Sequence, residues 1–350
     1  GSSQDRRLQQ IQHLKPTFGP GQVYETFTYT YDDMGNIKTW TGGPEGALAL
    51  EYDAADELVA ATAGQGVKRY RYAYDPAGNR TAEQINDAVT GATYNNRNQL
   101  SSQQAGGAVL FRGTTNEPAR VTVQSAPATT TPANQFSGNA QAGSGQTDVV
   151  VQATDYAQPT PNVRTNTYRV SQSGPGRSFT YDANGNLESR TEPSGLTTTY
   201  EWDAENRLLA VKQGGSTLAS YTYDGYGRRA TKPGASPVVW DGQQILQEGL
   251  ANGSQRFVDG AGIDNHLAAV DNFGTPTYFL ADHLGSIVRT TNSAGDTTLT
   301  RQYDPWGNML QGATASGYAF TGREWETGAA LHYYRGRYYD SRVGRFLNED

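Results

Sequence analysis

An aromatic residue followed by Asp or Asn returns about every twenty-one residues along this chain, and that period constrains the fold more than any other feature. The pairs Tyr31-Asp32, Tyr52-Asp53, Tyr74-Asp75 and Tyr94-Asn95 are spaced 21, 22 and 20 residues apart. After a gap the series resumes at Tyr181-Asp182, Trp202-Asp203 and Tyr223-Asp224, spaced 21 and 21. Looser copies stand at Trp240-Asp241, Tyr303-Asp304 and Tyr339-Asp340. Self-similarity at a fixed period marks a repeat architecture, whose units are too small to be stable alone and must stack on their neighbours.

The fourth position after the aromatic reads Gly35, Asp56, Gly78, Asn98, Gly185, Asn206, Gly227 and Gly307. Gly, Asn and Asp are the residues that tolerate the left-handed backbone region. The residue directly after the aromatic (Asp32, Asp53, Asp75, Asn95, Asp182, Asp203, Asp224, Asp304) is suited to accept backbone N–H groups as an Asx-turn. Together the two positions specify a hairpin loop built on a type I turn and a bulge. Before the turn, aromatics alternate, as in Phe27, Tyr29 and Tyr31 or Tyr70, Tyr72 and Tyr74, which puts them on one face of a strand. Each repeat therefore reads as one hairpin. A lone hairpin is marginal in water, so successive repeats should pair edge to edge in an antiparallel sheet. A β-propeller is the competing architecture, because two such hairpins would make one blade of ~40–45 residues.

The composition agrees with a core made of rings. Only 35% of the 350 residues are hydrophobic, but 22 Tyr, 10 Phe and 5 Trp supply buried surface. With a net charge of −7 and no Lys/Arg run, nucleic-acid binding is not expected. No apolar run approaches the ~18 residues of a membrane-spanning helix. The absence of cysteine excludes disulfides, thiolate nucleophiles and Cys-based metal sites.

The Tyr-Asp-x-x-Gly-Asn/Arg-Leu pattern resembles the YD repeat of Rhs proteins, Tc toxin C components and teneurins. The stretch from Tyr278 to Asp350 resembles the Rhs repeat-associated core region. Its landmarks fall at Asp282 to Ser286, Tyr303 to Gly307, Gly322 to Gly328, Arg337 to Asp340 and Gly344 to Phe346. The resemblance implies an all-β fold, a spiralling antiparallel sheet of hairpins forming part of an Rhs/YD shell. It implies a bacterial, secreted or cell-surface protein that encloses, carries or displays protein cargo such as a C-terminal toxin. Its partners would be that cargo or further shell segments of the same polypeptide. The family's self-cleavage motif lies beyond Asp350, so no catalytic residue is carried over and the chain is expected to be non-enzymatic, without cofactor. Asp5 to Ile11 resembles the second half of a further repeat; an amphipathic helix through Leu8, Ile11 and Leu14 is the other reading.

The repeat is interrupted between Tyr94 and Tyr181. The interruption is rich in Thr, Gln, Ala, Val, Ser and Pro, with β-favouring pieces at 119–123, 148–153 and 166–170 separated by Pro and Gly turns. Short strands with regular turn signals suggest a small sandwich, and the segment resembles bacterial immunoglobulin-like modules; a long Pro/Thr-rich loop is the plainer reading. The expected organisation is then hairpins over 1–106, an immunoglobulin-like sandwich inserted over 107–175, hairpins over 176–277 and the core region over 278–350.

Polar side chains that invite a chemical role have plainer explanations. Asp282-His283 suggests an acid–base pair, but DHLGS reads as a turn. His13, His266, His283 and His332 share no metal-ligand spacing. Glu324 and Glu326 face one way on a strand and mimic a glycosidase pair, yet no cleft is signalled; beside Arg323 and Arg335 they read as a solvated or salt-bridged face. The turn aspartates, Asp32-Asp33 with Asn36 first among them, suggest calcium, but the Asx-turn accounts for them. Trp40, Trp202, Trp240, Trp306 and Trp325 raise an alternative function, a cell-surface adhesin or carbohydrate-binding scaffold with surface glycans as partners.

Overall fold

The computed structural model describes residues 7–15, 22–42, 46–64, 68–172, 174, 176–250 and 253–349. The proposed repeat half at Asp5-Arg6 lies in part outside them. Among the described residues the chain is all-β, with a 3-10 turn at Phe320–Gly322. It forms two compact units, one of Gly1–Leu48, Thr180–Arg190 and Leu196–Asp350, the other of Ala49–Phe179 and Thr191–Gly195.

In the first unit Gln10–Leu14, Val23–Tyr31 and Ile37–Thr41 pair antiparallel in chain order. Ile11 and Leu14 thus belong to a strand and not to a helix, with Leu8 just before it, and Ile11 pairs with Phe27 and buries against it. Further hairpins run from Leu187–Thr191 to Ser216–Ser220. A seven-stranded sheet spans Ala235–Asp241 to Thr297–Thr300, and a five-stranded sheet spans Gly317–Tyr318 to Arg345–Phe346. Among the described residues, strands joined by these turns pair antiparallel, which is what short turns allow.

In the second unit the hairpin strands Leu58–Ala63, Lys68–Tyr74, Arg80–Ile85, Ala88–Tyr94 and Leu100–Ala105 follow in order, and Arg177 and Ser178 pair with the last of them. Between those two points the chain forms two small sheets. One contains Gly107–Thr114, Gln135–Ala142 and Thr129–Thr130; the other contains Ala126–Pro127, Ala119–Val123, Gly145–Asp155 and Val163–Gln172. Val121, Val123, Ala140, Val149 and Val151 form the layer between them, the arrangement of a small sandwich. It departs from the hairpins through Gly106 and Gly107, both at positive φ, where a Cβ on Gly106 would collide with the Ala142 carbonyl. It is fastened back by Gln172, whose amide accepts from the Val89 N–H and donates to the Asp87 carbonyl.

The repeat aromatic is Tyr or Trp for a reason that alternation alone does not reveal. Its polar tip reaches back to the strand after the preceding turn. Tyr74 donates to the Leu58 carbonyl, Tyr94 to Arg80, Trp202 to Leu187, Tyr223 to Leu208 and Tyr303 to Ile287, each at 2.7–2.8 Å. Arg80, Leu208 and Ile287 sit at the bulge where their own hairpin shifts register, between Ala73 and Tyr74, Glu201 and Trp202, and Leu280 and Ala281. A bulge leaves a carbonyl outside the ladder, and the next repeat supplies its donor. Tyr303→Phe is therefore expected to cost about 1 kcal/mol, the worth of one hydrogen bond to a buried carbonyl. A urea midpoint equal to that of the parent chain would remove this account of the aromatic.

Candidate functional site

The turns use their Asx side chains fully. The Asp75 Oδ1 accepts the N–H groups of Ala77 and Asn79, each at 2.9 Å. The same pair of bonds forms at Asp53, Asn95, Asp182, Asp203, Asp224 and Asp304, and Asp32 accepts from Asn36. The fourth positions carry positive φ, from 59° and 60° at Asn98, Asp56 and Asn206 through 76° to 98° at Gly227, Gly78, Gly307, Gly185 and Gly35. The second carboxylate oxygen is taken as well, by Asn79, Asn186, Arg207, Arg228 and Asn308 at their respective turns. At Asp53 the Glu57 and Ala55 N–H groups hold the carboxyl below the usual carboxylate range. Carboxylates committed in this way offer a cation little, and among the described residues no cluster of His, Asp and Glu has metal-site geometry.

Asn at the fourth position does more than tolerate φ > 0. The Asn206 Oδ1 accepts from Asn184 and Asn186 of the preceding turn, and Asn98 Oδ1 accepts from Asn79. Adjacent turns are thereby stitched along the sheet edge.

Three further turns of the same geometry occur at Asp271, Asp282 and Asn292. The sequence reading passed over two of them because Val270 and Thr291, not aromatics, precede the Asx; the Asx-x-x-Gly spacing was the signal. Conversely, Trp240-Asp241 opens a two-residue loop with Asp241 opposite Gln244, so it is not a repeat turn. Asp340 also diverges: it is buried and its carboxylate binds Arg190 and Arg342, each at 2.7 Å.

At Asp282-His283 the two side chains play separate parts. The His283 ring lies against Tyr29 and Trp40, with centroids 4.8 and 4.7 Å away, and burial pushes it down to about 4. Burial pushes Asp282 up to about 6, against the N–H bonds from Ser286 and Leu284. An acid whose folded pKa is raised stabilises the fold below its unfolded value and loses that contribution as pH rises through the folded one. Asp282→Asn keeps the Oδ1 acceptor. It is expected to raise stability by about 1–3 kcal/mol at pH ~7.5 and to change little at pH ~4. Urea melts at the two pH values check this, and an equal effect at both would refute it.

The densest group of ionisable side chains lies in the first unit, around Arg229, which is fully buried. Its guanidinium sits 3.9 Å from the Tyr333 ring centroid and 5.6 Å from that of Tyr221. It bonds Glu324 and lies 3.1 Å from Glu326, while Lys232 bridges Glu324 and Glu248. Glu324 and Glu326, at i and i+2 of strand Glu324–Glu326, do face one way. The sequence suggested a solvated or salt-bridged face beside Arg323 and Arg335. The face is salt-bridged, but it is buried and its cations are Arg229 and Lys232, whereas Arg323 and Arg335 bind Asp264, each at 2.7 Å. The reason is position: Arg228 lies within reach of its own turn carboxylate at Asp224, whereas Arg229, one residue on, points to the opposite face of the strand.

Burial pushes Glu324 up, but Arg229 and Lys232 outweigh it and hold it down to about 2. Burial outweighs Lys232 at Glu248, which rises to about 7. The cavity beside Glu324 measures about 20 Å³, room for a water and not for a sugar ring. The arrangement neutralises charge inside a core. Elsewhere His266 lies between Asp259 Oδ1 and the Gly322 carbonyl, and Arg301 donates to the carbonyls of Tyr318 and Ala315. The tryptophans form no exposed row. The indoles of Trp202, Trp240 and Trp325 donate to the carbonyls of Leu187, Arg229 and Ala313, and none of the five is among the exposed large side chains.

Hairpins joined by Asx turns and tied backward by aromatic tips define an antiparallel hairpin-repeat protein of the YD type. The RHS Repeat family model matches residues 52–90 and 181–218, so the chain carries RHS repeats there. Among curated proteins it is similar to the tRNA3(Ser)-specific nuclease WapA of Bacillus spizizenii, 26% identical over 92% of this chain and 15% of that protein. It is also similar to the tRNA nuclease WapA of Bacillus subtilis, 28% identical over 59% of this chain and 9% of that protein. The double-stranded DNA deaminase toxin A of Burkholderia cenocepacia is 26% identical over 49% of this chain and 15% of that protein. The chain thus spans less than a sixth of the length of these relatives. Among solved structures it is similar to the crystal structure of TcdB2-TccC3-Cdc42, at 15% identity and a TM-score of 0.39, covering 97% of this chain and 19% of that one.

Proposed function

We propose that this chain is a non-enzymatic segment of a bacterial, secreted or surface Rhs/YD-repeat shell, with an immunoglobulin-like module inserted over about 107–175. Its work is mechanical: it encloses, carries or displays another protein segment, such as a toxin, of the same polypeptide. The observation that carries this reading is the backward tie of Tyr74, Tyr94, Trp202, Tyr223 and Tyr303 to the hairpin before each, which turns a series of marginal hairpins into a stiff wall. Supporting it, the buried ionisable groups around Arg229 are paired with one another and have no cleft for a substrate.

Relatives are named as a tRNA nuclease and a DNA deaminase. On the present reading any such activity resides outside the repeats. The purified chain is expected to leave tRNA intact and double-stranded DNA undeaminated; turnover of either substrate, abolished by heating the chain, would overturn the proposal. Enclosure is read on the native gene product by limited proteolysis. The cargo segment should resist digestion while the repeats are folded and succumb once they are opened with mild denaturant. Equal digestion in both states would argue against a shell.

A further inference from the structure

The strand Val163–Gln172 ends the four-stranded sheet of the inserted sandwich, with Gly145–Asp155 as its neighbour on one side and, among the described residues, no strand on the other. Its ten residues pair without a bulge, contain no proline, and are exposed from Val163 to Arg169. Natural edges are usually blunted by proline, lysine, bulges or a covering segment. This one carries none of the first three.

The ladder fixes which backbone groups remain open. Gln124 N–H donates to the Val150 carbonyl, so the peptide groups of Val150 face strand Ala119–Val123 and those of Val149 and Val151 face Val163–Gln172. Their partners Tyr168 and Asn166 accordingly turn inward. The N–H and C=O groups of Thr165, Thr167 and Arg169 then point out of the sheet edge.

We propose that this edge pairs antiparallel with the same strand of a second copy of the chain, about a two-fold axis at Thr167. That register sets Thr167 opposite Thr167, Thr165 opposite Arg169, Asn166 opposite Tyr168 and Arg164 opposite Val170. No like charges meet, and all five outward residues from 163 to 171 are paired, an isologous contact. Cross-strand hydroxyl pairs, which stabilise sheets, already recur within the chain at Thr93–Ser102, Thr180–Ser189, Thr222–Thr231 and Thr290–Thr298. The proposal concerns assembly and is independent of what the repeats enclose.

Sedimentation velocity on the full chain, from about 1 to about 100 µM, tests it. The parent chain is expected to form a dimer. Thr167→Pro removes an outward N–H without touching the ladder to Gly145–Asp155, and is expected to give a monomer with unchanged far-UV circular dichroism. Thr165→Arg places an arginine opposite Arg169 of the partner copy and should weaken dimerisation about threefold or more. Thr165→Asp places a carboxylate there and should strengthen it similarly. The Thr165 pair keeps the test decisive if Thr167→Pro misfolds. A parent chain that stays monomeric, a dimer that survives Thr167→Pro, or Thr165→Arg and Thr165→Asp moving the dissociation constant in one direction would each overturn the proposal.

Discussion

Arg229→Met is expected to lower the unfolding free energy by about 3–5 kcal/mol, because it leaves Glu324 and Glu326 buried with Lys232 as their remaining cation. Methionine preserves much of the volume between Tyr221 and Tyr333, so the loss reports charge more than packing. Urea denaturation followed by tryptophan fluorescence measures it. Adding Glu324→Gln and Glu326→Gln to the arginine variant should recover part of the loss, since the uncompensated charges are then gone. A midpoint unmoved by Arg229→Met would mean that water already reaches these carboxylates, and the description of a neutralised core would fall.

Gly307→Ala is expected to cost about 2–5 kcal/mol, combining two effects. The residue sits at φ 83°, where an L side chain is strained by about 1–2 kcal/mol. A Cβ there would also lie 2.7 Å from Phe320 Cε1 and closer still to the rest of that ring edge, and relieving such overpacking costs about 1–3 kcal/mol. Gly227→Ala provides the comparison: φ is 76°, but nothing lies within 4 Å of the added carbon. It should cost only about 1 kcal/mol. Equal losses at the two sites would show that the turn conformation alone, without the Phe320 contact, determines the cost.

The hairpins were legible in the sequence because their determinants are local. Asp75 and Gly78 lie within four residues of each other and of the N–H groups they serve, so residue type reports geometry directly. The same locality explains the error at Trp240-Asp241, where Gly242 already turns the chain and the four-residue spacing is never used. The pairing of Glu324 with Arg229 was not legible: the two stand 95 residues apart, and nothing in the local run around Glu324 distinguishes an inward-facing strand from an exposed one. Arg323, adjacent in sequence, was the misleading neighbour, since alternate residues of a strand point to opposite faces. The choice of Tyr or Trp over Phe was visible as a regularity, but its cause, a carbonyl stranded at the previous bulge, appears only when two repeats are side by side.

The backward tie also gives the strip a direction in time. A repeat emerging during synthesis finds its acceptor, the bulge carbonyl at Arg80, Leu208 or Ile287, already made, while its own bulge waits for a donor not yet translated. Order of synthesis and order of fastening therefore coincide, and such a wall is expected to set from its N-terminal side onward, each hairpin closing the one before it.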